Sequence, residues 1–195
     1  MAERAPARGT SDPLGPLEDT VIDHLFELQP SYAIFLGLHQ YDGRLPDLRS
    51  ATTEMWGAAG DRHLAALRAI PEAGLDPSRR LDRRLLELLL ESSLFNLRES
   101  REYDRNPMTY VGSLSLTAYM VRPYAPLAQR VDAMIRTLRE VPRLLREGRS
   151  RLERSLPQPF LHLAQSIGEG LPGHFREAEE LAGSGSPSLA ERIRE

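Results

Sequence analysis

The stretch DPSRRLDRRLLELLLESSLFNLR, Asp76 to Arg98, decides the fold class. Asp76 offers a carboxylate to the unbonded amides of a helix start, and Pro77 suits the first helical position. Leu81, Leu85, Leu88, Leu89 and Phe95 then form one apolar stripe. Leu86, Leu90, Leu94 and Leu97 form a second stripe on the opposite side, which leaves Arg84, Glu87, Glu91 and Arg98 only a narrow polar strip. A helix apolar on two faces is expected between neighbours, so this one, running to about Tyr103, is expected to be central and the most buried. Asn106-Pro107 then breaks the chain.

Working outward, helical periodicity continues in both directions. Leu17, Val21, Ile22, Leu25 and Leu28 share one face, with Asp19, Asp23 and Glu27 opposite, and that helix ends before Pro30. Pro30 opens a short helix that stops at Gly37, and another is expected from about Ser50 to Ile70. Downstream, helices are expected over 107–121, 126–140, 142–155 and 159–181, with prolines 123, 126, 142, 157 and 159 as the punctuation. No segment alternates with period two, so no strand is expected. The reading is an all-α, multi-helix antiparallel array of about seven or eight helices without a sheet.

Residues 1–15 read as a flexible leader and 16–182 as one helical domain. Gly183-Ser-Gly-Ser-Pro-Ser188 reads as a linker, after which Ser188 and Glu191 form a capping box for a helix that has only about seven residues to grow. The expectation is a chain cut from something longer, with apolar surface exposed on 126–155 and 159–181 and a tendency to self-associate.

Composition excludes several chemistries. The 195 residues contain no cysteine, which removes thiol nucleophiles and Cys-based metal sites. All 25 basic residues are arginine, which removes a phosphate-loop lysine and a Schiff base. A net charge of -3 gives no general pull toward nucleic acid, and no apolar run reaches the roughly 20 residues of a membrane helix. The leader has arginines and prolines but no apolar core of a signal peptide, so the cytoplasm is the expected location.

The histidines fall in no H-E-x-x-H arrangement. His24 with Glu27 and His174 with Glu177 have helical i,i+3 spacing, but a third ligand is not evident, and both pairs read as surface residues. Gly168-Glu-Gly-Leu-Pro-Gly173 follows a helical pattern rather than a strand and reads as a helix interruption, not a dinucleotide loop. Arg136, Arg139, Arg143 and Arg146 share one helical side, with Glu140 and Glu147 placed to pair with Arg136 and Arg143, so the stripe reads as a solvated charged face. No catalytic, cofactor-binding or metal-binding residue is assigned. His39-Gln-Tyr-Asp-Gly-Arg-Leu-Pro-Asp47 is the one loop where polar and aromatic groups gather, and it reads as a packed turn.

That loop, from Leu36 to Asp47, resembles the opening motif of a large bacterial family catalogued as domain of unknown function 885, whose members are regarded as related to helical zinc metallopeptidases. The similarity continues through Leu81-Asp82, Asn106-Pro107 with Tyr110, Tyr124-Ala-Pro-Leu127 with Arg130, Val141-Pro-Arg-Leu-Leu145 and Pro159-Phe160. The resemblance implies proteins much longer than this chain, with a zinc-binding H-E-x-x-H helix in a later half that no position here matches. It further implies that this portion forms a wall or lid of a peptide-substrate cleft, with His39, Tyr41, Asp42 and Arg44 as candidates to face it. Zinc and the peptide substrate then belong to the longer protein, and the absent catalytic half is the expected partner, with no nucleic acid or membrane. The rival expectation is a stand-alone, non-catalytic helical binding or adaptor module.

Overall fold

The computed structural model describes residues 12–194. Its elements are α1 (Gly15–Leu28), α2 (Pro30–Phe35), a 3-10 turn (His39–Tyr41), α3 (Ser50–Ala69), a second 3-10 turn (Glu72–Gly74) and α4 (Pro77–Arg98). There follow α5 (Glu102–Arg105), α6 (Met108–Gly112), α7 (Thr117–Val121), α8 (Leu127–Arg151), α9 (Gln158–Gly185) and α10 (Pro187–Arg194). The fold is all-α, with no strand among the described residues. No described helix is long and apolar enough to cross a membrane. Most of the expected leader lies outside the described residues. In its last part Leu14 is fully buried, and its amide donates to Asp12 Oδ1 at 3.1 Å.

Contacts group the chain into two compact units. The first comprises the described residues up to Leu28 with Arg49–Glu102, and contains α1, α3 and α4. Its core is Leu14, Val21, Leu67, Leu75, Leu86 and Leu90, with Leu17, Ile22, Leu25, Leu64 and Ile70 packed against it. Gly57 lets α3 and α4 approach closely, since a Cβ there would sit 2.8 Å from a Leu97 methyl. Asp76 caps α4 as expected, accepting from the Arg79 amide at 3.0 Å.

The expectation that α4 is buried on both faces is corrected. Leu86, Leu90 and Leu94 are buried, but Leu81, Leu85, Leu88, Leu89 and Phe95 are between 44% and 60% exposed. The helices that pack on it within the unit are chiefly α3 and, less extensively, α1, which cover one side of a cylinder.

The second unit is Gln29–Leu48 with the described residues from Tyr103 onward. Here the proline rule fails twice. Pro142 lies inside α8 and Pro172 inside α9, so the expected break at each position is absent. A proline forfeits one hydrogen bond, and tertiary packing on both sides of it can hold the helix together. Met134 and Leu144, both fully buried, anchor α8 on either side of Pro142. The expected helix over 107–121 is instead α6 and α7 with a turn between. The expected linker at 183–188 is also corrected: α9 continues to Gly185, and only Ser186 separates it from α10. That last helix is seated on α8 and α9, with Ala190 buried and ion pairs joining Arg192 to Asp132 and Arg194 to Glu179.

Candidate functional site

The segment from Gly37 to Leu48 is held by one face of α8. Arg143 donates to the Pro46 carbonyl at 3.2 Å and pairs with Glu147 at 2.8 Å, while Glu147 accepts from the Leu48 amide at 3.1 Å. Arg151 donates to the Leu48 carbonyl at 2.6 Å and pairs with Asp104 at 2.9 Å. Residues 143, 147 and 151 recur every four positions, so one helical row reaches the segment three times. An irregular segment has no ladder of its own, and charged side chains supply the missing backbone partners.

At the other end, Gly43 adopts a left-handed φ of 82°. A Cβ there would also lie 2.7 Å from Arg136 Cβ, so glycine is required both for backbone and for space. Its amide donates to the buried Tyr119 hydroxyl at 2.9 Å. Burial raises the Tyr119 pKa, so the phenol stays protonated and polar partners must satisfy it. Arg130, itself buried, gathers the chain on the far side, donating to the carbonyls of Tyr119 at 2.6 Å, Met120 at 3.3 Å and Ala125 at 3.2 Å.

Within this frame His39, Asp42 and Tyr124 form a polar cluster. The Tyr124 hydroxyl donates to Asp42 Oδ2 at 2.7 Å, and His39 Nδ1 lies 3.2 Å from Oδ1. The His39 and Tyr124 rings stack with centroids 3.5 Å apart and an interplanar angle of 9°. Burial, reinforced by the hydrogen bond to Asp42, pushes the Tyr124 phenol pKa up, so it remains a donor. The Asp42 side chain is 12% exposed and that of His39 is 36% exposed. With Asp42 accepting at Nδ1, the neutral imidazole carries its lone pair on Nε2. The arrangement is an oriented imidazole at the surface, able to hold a polar group or pass a proton at Nε2.

Of the four residues expected to face a cleft, the structure brings His39 and Asp42 together. Tyr41 is buried, and Arg44 is exposed with its guanidinium 5.2 Å from the Tyr41 ring centroid. Sequence reasoning did not link Tyr119, Tyr124, Thr137 and Arg130 to this loop. For Tyr124 and Arg130 the signal was the Tyr124-Ala-Pro-Leu127 motif with Arg130, already noted for its resemblance, whereas Tyr119 and Thr137, whose hydroxyls lie 3.4 Å apart, carried none.

The paired histidines go elsewhere. His24 is half-buried rather than superficial; it stacks on Trp56 with centroids 5.5 Å apart and meets His63 edge-on at 5.2 Å. His174 Nε2 accepts the Leu116 amide at 2.8 Å, which removes that nitrogen as a ligand. Among the described residues no three His, Asp or Glu side chains converge as a metal site would need.

Known proteins place the chain by kinship. A structure described as a "putative lipoprotein of unknown function" from Shewanella oneidensis is similar over 91% of this chain, with a TM-score of 0.78 and 19% identity. That likeness is one of fold, and the chain spans only 33% of the other's length. No curated protein matches the sequence. Residues 30–187 match the family model for bacterial proteins of unknown function, DUF885, and that range takes in both the 39–48 segment and the helices that hold it. The chain belongs to the DUF885 family.

Proposed function

We propose that this chain is the N-terminal helical portion of a zinc-dependent, metallopeptidase-like hydrolase, forming a wall or lid of its substrate cleft. The observation that carries the reading is the His39–Asp42–Tyr124 cluster, a polar surface built on a braced loop with no reacting centre around it. Such a surface suits binding a peptide's polar groups better than cleaving them. The one-third coverage of a similar fold supports a longer parent. The exposed stripe of α4 supplies apolar area for the remainder to cover, and alone it favours self-association. The largest exposed stripe stands on α4, and the 126–155 and 159–181 helices expected from the sequence expose Leu145, Phe160 and Leu163. Zinc and its H-E-x-x-H ligands belong, in this proposal, to the remainder, and the whole works in the cytoplasm.

The test reads the coding frame past codon 195 and expresses the protein with and without the downstream coding segment. The longer product should hold about one zinc and hydrolyse peptides, while the 195-residue chain does neither. A stop codon there, with a monomeric chain that melts in one sharp transition, overturns the proposal. The reading of a non-catalytic helical module would then lead, and the close seating of α10 on α8 and α9 favours it.

A further inference from the structure

Between α8, α9 and α10 runs a groove of about 480 Å³, within the range of small-molecule sites. A second recess of about 280 Å³ adjoins it, and Ile135, Arg139 and Arg192 line both. The larger space has an apolar floor of Ile135, Leu138, Pro142, Pro172, Phe175 and Ile193. The two interior prolines help to shape it. Pro142 has no amide to give the Leu138 carbonyl, and both ends of that missing bond line the groove.

The rim is basic. Arg136, Arg139, Arg176, Arg192 and Arg194 line the two spaces, against the carboxylates of Asp132 and Glu179. Those carboxylates are taken by Arg192 and Arg194. Arg139 and Arg176 make no ion pair with any described residue, and both are exposed. Five arginines against two carboxylates, in a chain of net charge -3, is a local reversal of sign. Arg143, which shares the sequence stripe, is instead spent on Glu140, Glu147 and the Pro46 carbonyl. The stripe thus divides into a structural part and Arg139, an unpaired cation facing the groove.

We propose that this groove binds a small amphiphilic anion, a carboxylate or phosphate monoester on an apolar body. The anionic head sits between Arg139 and Arg192, where the two spaces join, and the body lies on Phe175 and Ile193. Guanidinium forks match both head groups in geometry, and the apolar floor rewards a ligand that bare phosphate does not resemble.

Calorimetric titration of the full chain with phenyl phosphate, hexanoate and inorganic phosphate tests this. At least one of the two amphiphiles should bind saturably, and inorganic phosphate should bind at least about tenfold more weakly. The preferred amphiphile identifies the head as phosphate or carboxylate. Affinity should fall by about tenfold or more in the R139Q/R176Q variant, because two unpaired cations are lost, while its melting curve stays unchanged. Phe175→Ala should weaken the amphiphile and leave inorganic phosphate untouched. Absence of saturable binding at millimolar ligand, equal affinity in R139Q/R176Q, or equal affinity for inorganic phosphate would each overturn the proposal.

Discussion

Helices α4 and α8 are written in nearly the same alphabet of leucine, arginine and glutamate, and they use it in opposite ways. In α4 leucines stand in water, while Arg98 meets Asp61 at 2.6 Å and Arg68 meets the half-buried Glu91 at 2.6 Å, both pairs lying at the surface. In α8 Arg130 and Glu147 are buried, and the neighbouring Arg143 and Arg151 reach inward to main-chain carbonyls. The difference lies in what each helix packs against. A regular helix satisfies its own backbone, so the helical neighbours of α4 ask mainly for apolar contact. Its Arg80 and Arg83 reach main chain only at the irregular 70–75 turn, through the Leu75 and Ile70 carbonyls, with the buried Glu87 paired to Arg83 and Arg84. The 42–48 and 119–125 segments present unbonded amides and carbonyls, and charged side chains are what can meet them. Letters alone do not say which residues are inside; the regularity of the facing backbone does.

That contrast can be broken by substitution. The largest effect is expected from Leu90→Ala, which empties a fully buried position in the core of the first unit and should cost about 3–4 kcal/mol in denaturant unfolding. Loss below about 1 kcal/mol would mean that the α4 core is not where the structure puts it. Arg130→Met keeps the bulk but strips three carbonyls of their donor, and should cost about 2–3 kcal/mol by the same measurement. If it is neutral or stabilising, buried charge is not what secures that region. Gly43→Ala should lose about 1–2 kcal/mol, from left-handed strain and the crowding of Arg136.

A pH scan sharpens the comparison from the first unit's side. Burial holds His24 and His63 below the ordinary imidazole value of 6.5, and the nearby Arg62 pushes both the same way. The unfolded chain therefore takes up protons that the folded chain refuses. The stability this contributes is complete above pH 6.5 and is lost as pH falls through that value toward the depressed folded values. Melting temperature should drop between about pH 7 and pH 5, and less steeply in the His24→Phe/His63→Gln variant. Identical slopes would remove these rings from the account. The smallest effect belongs to Leu88→Gln on the exposed stripe, expected within about 0.5 kcal/mol of the parent. A large loss there would show that the stripe is covered in solution, by a second copy or otherwise.

The helices were legible because their apolar periodicity is strong, and the start of α4 was legible down to the cap on Asp76. The errors came from treating proline and glycine as stops. Pro142, Pro172 and Gly183 sit in helices whose flanks are pinned by packing, and packing is set by residues distant in sequence. The double stripe of α4 signalled two covered faces, but how many neighbours a helix finds is not written in the helix. The 39–47 loop stood out by its polar and aromatic content. Its partner Tyr124 lies 82 residues beyond Asp42, a distance at which spacing carries no geometry.

The stacking of His24 on Trp56 has an optical consequence. Trp56 is the chain's one tryptophan and lies in the first unit, whereas all six tyrosines, from Tyr32 to Tyr124, lie in the second. Indole emission therefore reports on one unit alone, and tyrosine absorbance fine structure on the other. The indole is 5% exposed, so its emission maximum should be blue-shifted and move red only when that unit opens. An imidazolium against an indole face also quenches its fluorescence. Acidification should dim the emission before its wavelength shifts, making the protein its own indicator for the His24 proton, with no label added.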